Sequence, residues 1–391
     1  MIKKYRIIPF FLVFLIFLFT GCGSKEVESL AVVTLVGVDY TNENGKDLYT
    51  VSSTILNPLN QKKEGEQSTD KNGQEKVLIG KGRTMEEAVI NFTANSSRVP
   101  FYGQTSAFIL GERMAEEKAS EGAEAGIRYG ENRPKIFMMV TKGKAVDILQ
   151  SEPTTDKLLS KELKDLAMNK ALTNGFSCGI FLCDFTAWLE SPDRDAVATL
   201  VNMVPSEEPD SSQQNLVQGL AIFRNDKLVG WLNKEETMGY LLLTQKINRG
   251  QIPITVIKDH KEFSYYLGTS KSKIQPVVNG NKISYRIDIK TMGAITESAV
   301  LDLNAENIKE LESLIEDTLQ NLTMRTVNKA KEFNSDFLGL TEKLHRTNLS
   351  AWQTLGPEWR KAFCQAEVEV VVDAKIVQTG NIAGKLNIRT K

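Results

Sequence analysis

The sequence predicts a mixed α/β (α+β) protein of several compact domains, each a β-sheet packed with helices, behind an N-terminal lipid anchor. Three observations carry this reading. Runs rich in β-branched residues, such as "SLAVVTLVGVDYT", alternate with helix-patterned stretches along the whole chain. The length of 391 residues exceeds what a single hydrophobic core usually fills. The first residues read as a leader: three cations, Lys3, Lys4 and Arg6, then an apolar run from Ile7 to Phe19, then "FTGC".

That apolar run would span roughly 20 Å as a helix, against about 30 Å for a bilayer core, which suits a signal peptide better than a stable transmembrane span. A buried core helix would not begin with three cations and stay apolar on every face. "FTGC" looks like the lipobox of bacterial lipoproteins, with Thr20 and Gly21 fitting and Phe19 standing where Leu is preferred. The expected signal peptide is 1–21. Cys22 is then the first residue of the mature chain, carrying S-diacylglycerol on its thiol and an N-palmitoyl group. Two or three acyl chains, at about 0.8 kcal/mol per buried CH2, hold a protein on a membrane where one would not.

An N-terminal α/β domain is expected over 22–150. Its strands are "SLAVVTLVGVDYT", "KDLYTVSSTIL", "KVLIGKG", "QTSAFILG" and "PKIFMMVTKG", with a polar connection at 57–74. Between them, "GRTMEEAVINFTANSS" starts a helix on a capping box of Thr84 and Glu87, with an apolar face of Ala88, Phe92 and Asn95 or of Val89 and Ile90. "ERMAEEKASEGAEAGIRYG" reads as a charged surface helix.

A middle region over 151–255 reads as more helical, through "TTDKLLSKELKDLAMNKAL" and "CDFTAWLESPDRDAVATLVNMV". A Pro/Ser/acidic linker is expected near 205–214. Two short strands then flank the turn "RNDK", and a helix follows from about Glu235. The C-terminal α/β domain, 256–391, pairs strands around "NGN" and carries a long amphipathic helix over 305–333, capped by Asn304. Ile308, Leu311, Ile315, Leu319 and Leu322 form its buried stripe. "QAEVEVVVDAKIVQTG" closes the chain as a strand.

Composition is that of an ordinary folded protein, 41% apolar and 25% charged, and the net charge of -1 argues against nucleic acid as a partner. No P-loop or GxGxxG fingerprint is present. Cys178, Cys183 and Cys364 have neither redox-pair nor zinc spacing and read as quiet thiols, with a Cys178–Cys183 bridge as the alternative. His260 and His345 read as solvated surface residues, and no zinc ligand set is recognisable. Asp184, Glu190, Asp193 and Asp195 read as caps and solvated charge, although composition alone leaves a glycosidase-type pair open. Trp188, Trp231, Trp352 and Trp359 read as packing residues. No catalytic, cofactor-binding or metal-binding residue is expected, and the protein is read as a non-enzyme.

Several blocks in fixed order resemble the Ger(x)C family, the C subunits of nutrient germinant receptors of endospore-forming bacteria. They are Gly219-Leu220-Ala221-Ile222-Phe223, Asp226-Lys227-Leu228-Val229-Gly230, Glu236-Thr237, Asp336-Phe337-Leu338-Gly339, Trp352, Trp359 and Gly380. The N-terminal half adds "VGVDY" and "GRTMEEAVINFTANSSR", while Phe101 to Gly103 depart from the polar or His-containing turn expected there. The resemblance implies three α/β domains and a lipoprotein on the outer face of the spore inner membrane. It implies work with an A subunit and a permease-like B subunit, with the small-molecule germinant bound by the complex rather than by this chain. The alternative is an extracytoplasmic solute-binding lipoprotein with a two-lobed fold. A cell-wall hydrolase, with a buried carboxylate pair, is a third.

Overall fold

The structure, a computed structural model, describes residues 29–56, 75–94, 96–128, 135–205, 213–244, 247–258, 260–280, 282–295 and 305–378. The leader with Cys22, the 57–74 connection, most of the 205–214 linker, Asn95, the Asn304 cap and Gly380 lie outside them.

Two sheets organise the chain. The first holds β1 (Leu30–Glu43), β2 (Lys46–Leu56), β3 (Glu75–Gly82), β4 (Val99–Phe101), β5 (Ala107–Leu110), β6 (Phe137–Val140), β7 (Val197–Pro205), β8 (Gln213–Arg224) and β9 (Lys227–Leu232). Its order is β3-β2-β1-β5-β6-β7-β8-β9, with β4 paired on β1. The core β1, β5, β6 and β7 is parallel, and the flanking pairs are antiparallel. Parallel strands are covered on both faces, which explains why "AFIL" and "FMMV" are apolar at every position and buried at every position.

The helices divide between the two faces. α1 (Met85–Thr93) starts at Thr84, whose hydroxyl accepts from Glu87 N. The Glu87 carboxylate reaches back one residue further than a capping box requires, to Arg83 N at 2.7 Å. Ala88 and Phe92 form its buried face, while Ile90 is exposed. The expected charged helix is two, α2 (Glu112–Glu117) and α3 (Ala119–Arg128), broken where Lys118 leaves helical geometry at φ -147°. Met114, Ala115, Ala119 and Ala123 from this pair pack with Val38, Leu110 and Val140 on one face. α4 (Ala145–Gln150) and α5 (Leu159–Thr173) pack Ile148, Leu149 and Leu163 with Leu35, Ile109 and Met139 on the other. α6 (Leu182–Leu189) returns the chain to β7.

One expectation changes here. The helical reading of "DAVATLVNMV" is overturned: residues 197–205 are β7, and Val197 to Val201 are all buried. A run of β-branched and apolar residues buried on both faces is strand chemistry, and the neighbouring "CDFTAWL" helix concealed the change of period. The division placed at residue 150 falls between β6 and β7, which are hydrogen-bonded neighbours in one sheet, and that at 255 falls within β10.

The second sheet holds β10 (Asn248–Lys258), β11 (Lys261–Asn279), β12 (Lys282–Ile295) and β13 (Glu367–Gln378) in that order. β13 lies parallel to β12, so the chain must cross over between them. It does so through α8 (Ala305–Glu332), α9 (Leu340–Thr347), α10 (Leu349–Leu355) and α11 (Trp359–Gln365). Leu311, Ile315 and Leu319 of α8 are fully buried, as the stripe predicts, while Ile308 is half-buried. The polar flank of α8 reaches the outer edge of β13. Glu316 accepts from Ala374 N at 3.0 Å, Glu312 from Ile376 N at 3.1 Å, and Gln320 donates to Val370 O at 2.8 Å.

α7 (Lys234–Leu243) joins the two halves. Asn233 and Glu236 form its capping box, and Glu236 to Leu243 are buried without a break. A helix apolar all round must be enclosed. α7 touches β8 and β9 of the first sheet, β11 and β12 of the second, and α8. Thr326 Oγ1 donates to Glu236 O at 2.7 Å, and a Cβ on Gly239 would stand 2.1 Å from Thr326 Oγ1 and 2.6 Å from Leu322 O.

Gly239→Ala is therefore expected to destabilise the protein although alanine favours helix by about 1 kcal/mol. Displacing α8 from α7 should cost about 1–3 kcal/mol net, read as a lower denaturation midpoint. A rise in the midpoint would show that the two helices can separate freely.

Candidate functional site

The residues singled out in the sequence converge on a junction between β7–β9 and the segment that carries α9 and α11. Asp195 enters β7 with its side chain almost sealed from solvent, at 2% exposure. The tight turn after β8, where Asn225 adopts φ 55°, presents Asn225 N to Asp195 Oδ1 at 3.0 Å. Asp336 N donates to Asp195 Oδ2 at 2.9 Å, and Asp195 N donates back to Asp336 O at 3.2 Å. Arg360, from the first turn of α11, grips both oxygens of Asp195, Nη2 at 2.8 Å from Oδ1 and Nη1 against Oδ2. Its Nη2 also meets Asn225 Oδ1 at 2.6 Å, and its guanidinium lies 4.3 Å over the Trp359 ring.

Asp336 is fully buried beneath this pair. Its carboxyl accepts from Leu340 N at 3.0 Å and Thr341 N at 2.6 Å, fixing the start of α9 after Gly339, which turns at φ 72°. Ser335 Oγ donates to Phe223 O at 2.6 Å, so the "DFLG" block is pinned to the "GLAIF" strand. Burial outweighs the two backbone donors and lifts the Asp336 carboxyl to about 6.

The neighbouring "SPDRD" residues extend the network. Asp193 accepts from Ser191 Oγ at 2.6 Å and meets His345 Nδ1 at 2.5 Å, while the His345 ring stacks on Trp352 with centroids 4.8 Å apart. Arg194 lies 4.4 Å over Trp188 and pairs with Glu342 at 3.0 Å. Asp193, Asp195 and His345 are thus structural partners, not solvated charge. The sequence reading missed this because the partners lie 141 to 165 residues apart. Asp184 and Glu190 stay outside the network, and His260 is exposed at the β10–β11 turn. The donors around Asp195 and Asp336 come from the chain itself, so the pair acts as a lock between elements. Among the described residues no cluster of three His, Cys, Asp or Glu side chains is arranged to hold a metal ion. Cys178 is buried, Cys364 half-buried and Cys183 exposed, all as free thiols.

A second feature lies at the carboxyl ends of β1, β5 and β6. From adjacent strand ends the chain leaves into α2 on one face and α4 on the other, the arrangement at which open α/β sheets form a crevice. The crevice has a volume of about 730 Å3. At its floor Asp39 of "VGVDY" accepts from Ala145 N at 2.6 Å and Val146 N at 3.0 Å, tying β1 to the start of α4. Burial raises the Asp39 carboxyl above its ordinary value despite these donors. A Cβ on Gly111 would stand 2.0 Å from Asp39 Oδ1, so the β5–α2 turn has room only for glycine.

Comparison with known proteins agrees with this architecture. Residues 23–203 match the family described as spore germination protein N-terminal domain, and residues 218–380 match spore germination B3/GerAC like, C-terminal. The putative spore germination protein YfkR of Bacillus subtilis is 23% identical over 93% of this chain and 94% of its own. Spore germination protein B3 of the same organism is 23% identical over 94% and 96%, and spore germination protein GerQC of Bacillus cereus 24% over 95% and 98%. The crystal structure of the GerBC protein shares the fold, with a TM-score of 0.57 at 18% identity over 88% of this chain and 97% of that one. The chain belongs to the Ger(x)C family of spore germination proteins.

Arg360→Met leaves Asp195 buried and unpaired and is expected to cost about 3–5 kcal/mol in unfolding free energy. Combining it with Asp195→Asn should recover a large part of that loss, and a purely additive double variant would disprove the pairing. The raised Asp336 carboxyl sets a pH dependence. A folded-state value above the unfolded one stabilises fully below about pH 4, and the benefit is lost as pH rises through about 6. The stability of the protein relative to Asp336→Asn should therefore fall by roughly 3 kcal/mol between pH 4 and pH 7, followed by urea unfolding at each pH. A flat difference would show that Asp336 ionises normally.

Proposed function

We propose that the protein is the lipid-anchored C subunit of a nutrient germinant receptor, on the outer face of the spore inner membrane, acting without catalysis beside A and B subunits. The observation that carries this reading is the match of both halves of the chain, in order, to spore germination families, with relatives aligned over almost their full lengths.

The sequence supplies the attachment. Cys22 stands at the end of a lipobox-like leader, and among the described residues no helix is long and apolar enough to cross a membrane. Acyl chains on Cys22 would confine the two sheets to a thin layer beside the bilayer and raise their effective concentration around membrane-embedded partners. Within that layer a body locked by the Asp195–Arg360 junction offers surfaces of fixed relative position. The runner-up, a two-lobed solute receptor, needs a ligand cleft between lobes. Here the space between the two sheets is occupied by the buried helix α7 and the junction.

Cys22→Ala should move the protein from the membrane to the soluble fraction of spore lysates, reduce co-purification of the A and B subunits, and slow nutrient-triggered germination. Full membrane retention with normal germination in that variant would sink the reading. Dipicolinate release on nutrient addition supplies the kinetic readout.

A further inference from the structure

The two ends of the β1–β2 pair have opposite chemistry. β1 is buried without a break from Val33 to Tyr40, and both of its ends emerge from that core. At the hairpin end the emerging residues are Thr41, Asn42 and Glu43 of β1 with Lys46 and Asp47 of β2, all polar. At the other end they are Leu30 and Val32 of β1 with Ile55 and Leu56 of β2, all apolar and none fully buried.

The short strand β4 enlarges the apolar end. It lies parallel to β1, with Val99 beside Leu30, Pro100 beside Ala31 and Phe101 beside Val32. Val99 is 53% exposed, and Pro100 and Phe101 are half-buried. Cations flank this end: Lys76 of β3, opposite Ile55, is exposed, and Arg98 directly precedes β4. Glu75, opposite Leu56, turns its carboxylate inward, accepting from Thr34 Oγ1 at 2.6 Å and Ser160 N at 3.2 Å. At the start of α5, beside Ser160, Asp156 pairs with Lys161.

The chain also enters the fold at this end. Seven residue steps separate Cys22 from Ser29, a reach of at most about 25 Å. β1 carries the hairpin end about 40 Å beyond Leu30. We propose that the apolar end of β1, β2 and β4 is a membrane-contacting surface. Leu30, Leu56, Val99 and Phe101 enter the interfacial layer of the bilayer, and Lys76 and Arg98 lie at the depth of the lipid phosphates. The polar hairpin and the crevice at the carboxyl ends of the strands then face away from the lipid. The proposal rests on acylation of Cys22. It adds an orientation that acylation does not set, since a tether of that reach lets the body turn any side to the bilayer.

The test places a polarity-sensitive fluorophore on single cysteines of the full-length acylated protein in vesicles of phosphatidylcholine, with and without phosphatidylglycerol. Cys183→Ser and Cys364→Ser remove the exposed and half-buried native thiols. Val99→Cys and Ser97→Cys sit at the proposed contact, and Lys46→Cys at the opposite end. Quenching by spin labels on the lipid chains should be at least about threefold greater at 97 and 99 than at 46. In vesicles with the anionic lipid, adding Lys76→Glu and Arg98→Glu should lower the quenching at 99. The vesicles hold lipid alone, so a patch made for a protein partner would leave 97 and 99 no more quenched than 46, and that result would overturn the proposal. A Cys22 that reacts with the fluorophore, in protein recovered from the soluble fraction, would overturn the anchored reading and the orientation together. Equal quenching in a protein whose Cys22 is blocked would overturn the orientation alone.

Discussion

The structure depends on one buried carboxylate. Asp195 cannot remain charged at 2% exposure without partners, and its partners come from three separate stretches: the β8–β9 turn, the backbone before α9, and Arg360 of α11. Satisfying it therefore fixes the crossover segment of the second sheet against the end of the first. An apolar contact of equal area would hold the same surfaces together but would tolerate sliding, whereas a bidentate guanidinium accepts one geometry. The fully buried Asp336 beneath, and the ring stacks of His345 on Trp352 and Arg360 on Trp359, extend that single constraint into a layer.

Much of the fold was legible because local physics dictates it. The bounds of β2 match the quoted run "KDLYTVSSTIL", and the α8 stripe of Leu311, Ile315 and Leu319 is buried as its spacing predicts. Thr84 caps α1, and the "NGN" turn joins β11 to β12 with Gly280 at φ 61°. What sequence reasoning missed has two causes. β7 lacks alternation because both its faces are covered. Asp193, Asp195 and His345 are each unremarkable in their own neighbourhoods. Only closure of the chain over more than 140 residues makes them partners. The one available signal was the ordered blocks themselves, since "GLAIF", "DFLG" and Trp359 all line this junction.

Buried glycines show the same logic at closer range. Gly111 yields to the Asp39 carboxylate and Gly239 to Thr326, so each marks a place where a polar group of one element needs contact with the backbone of another. "VGVDY" is thus more than a strand. Its aspartate replaces a conventional cap for α4, which starts at Lys144 without a side-chain cap of its own, and so couples the parallel core to the crevice rim.

The outer edge of β13 has a further consequence. Ala374 N, Ile376 N and Val370 O point away from the sheet and are already bound by Glu316, Glu312 and Gln320 of α8. A strand edge with free amides and carbonyls recruits other strands. By occupying that edge with its own helix, the chain removes the template for strand addition there. Copies crowded side by side can then stay distinct rather than merging into a continuous sheet.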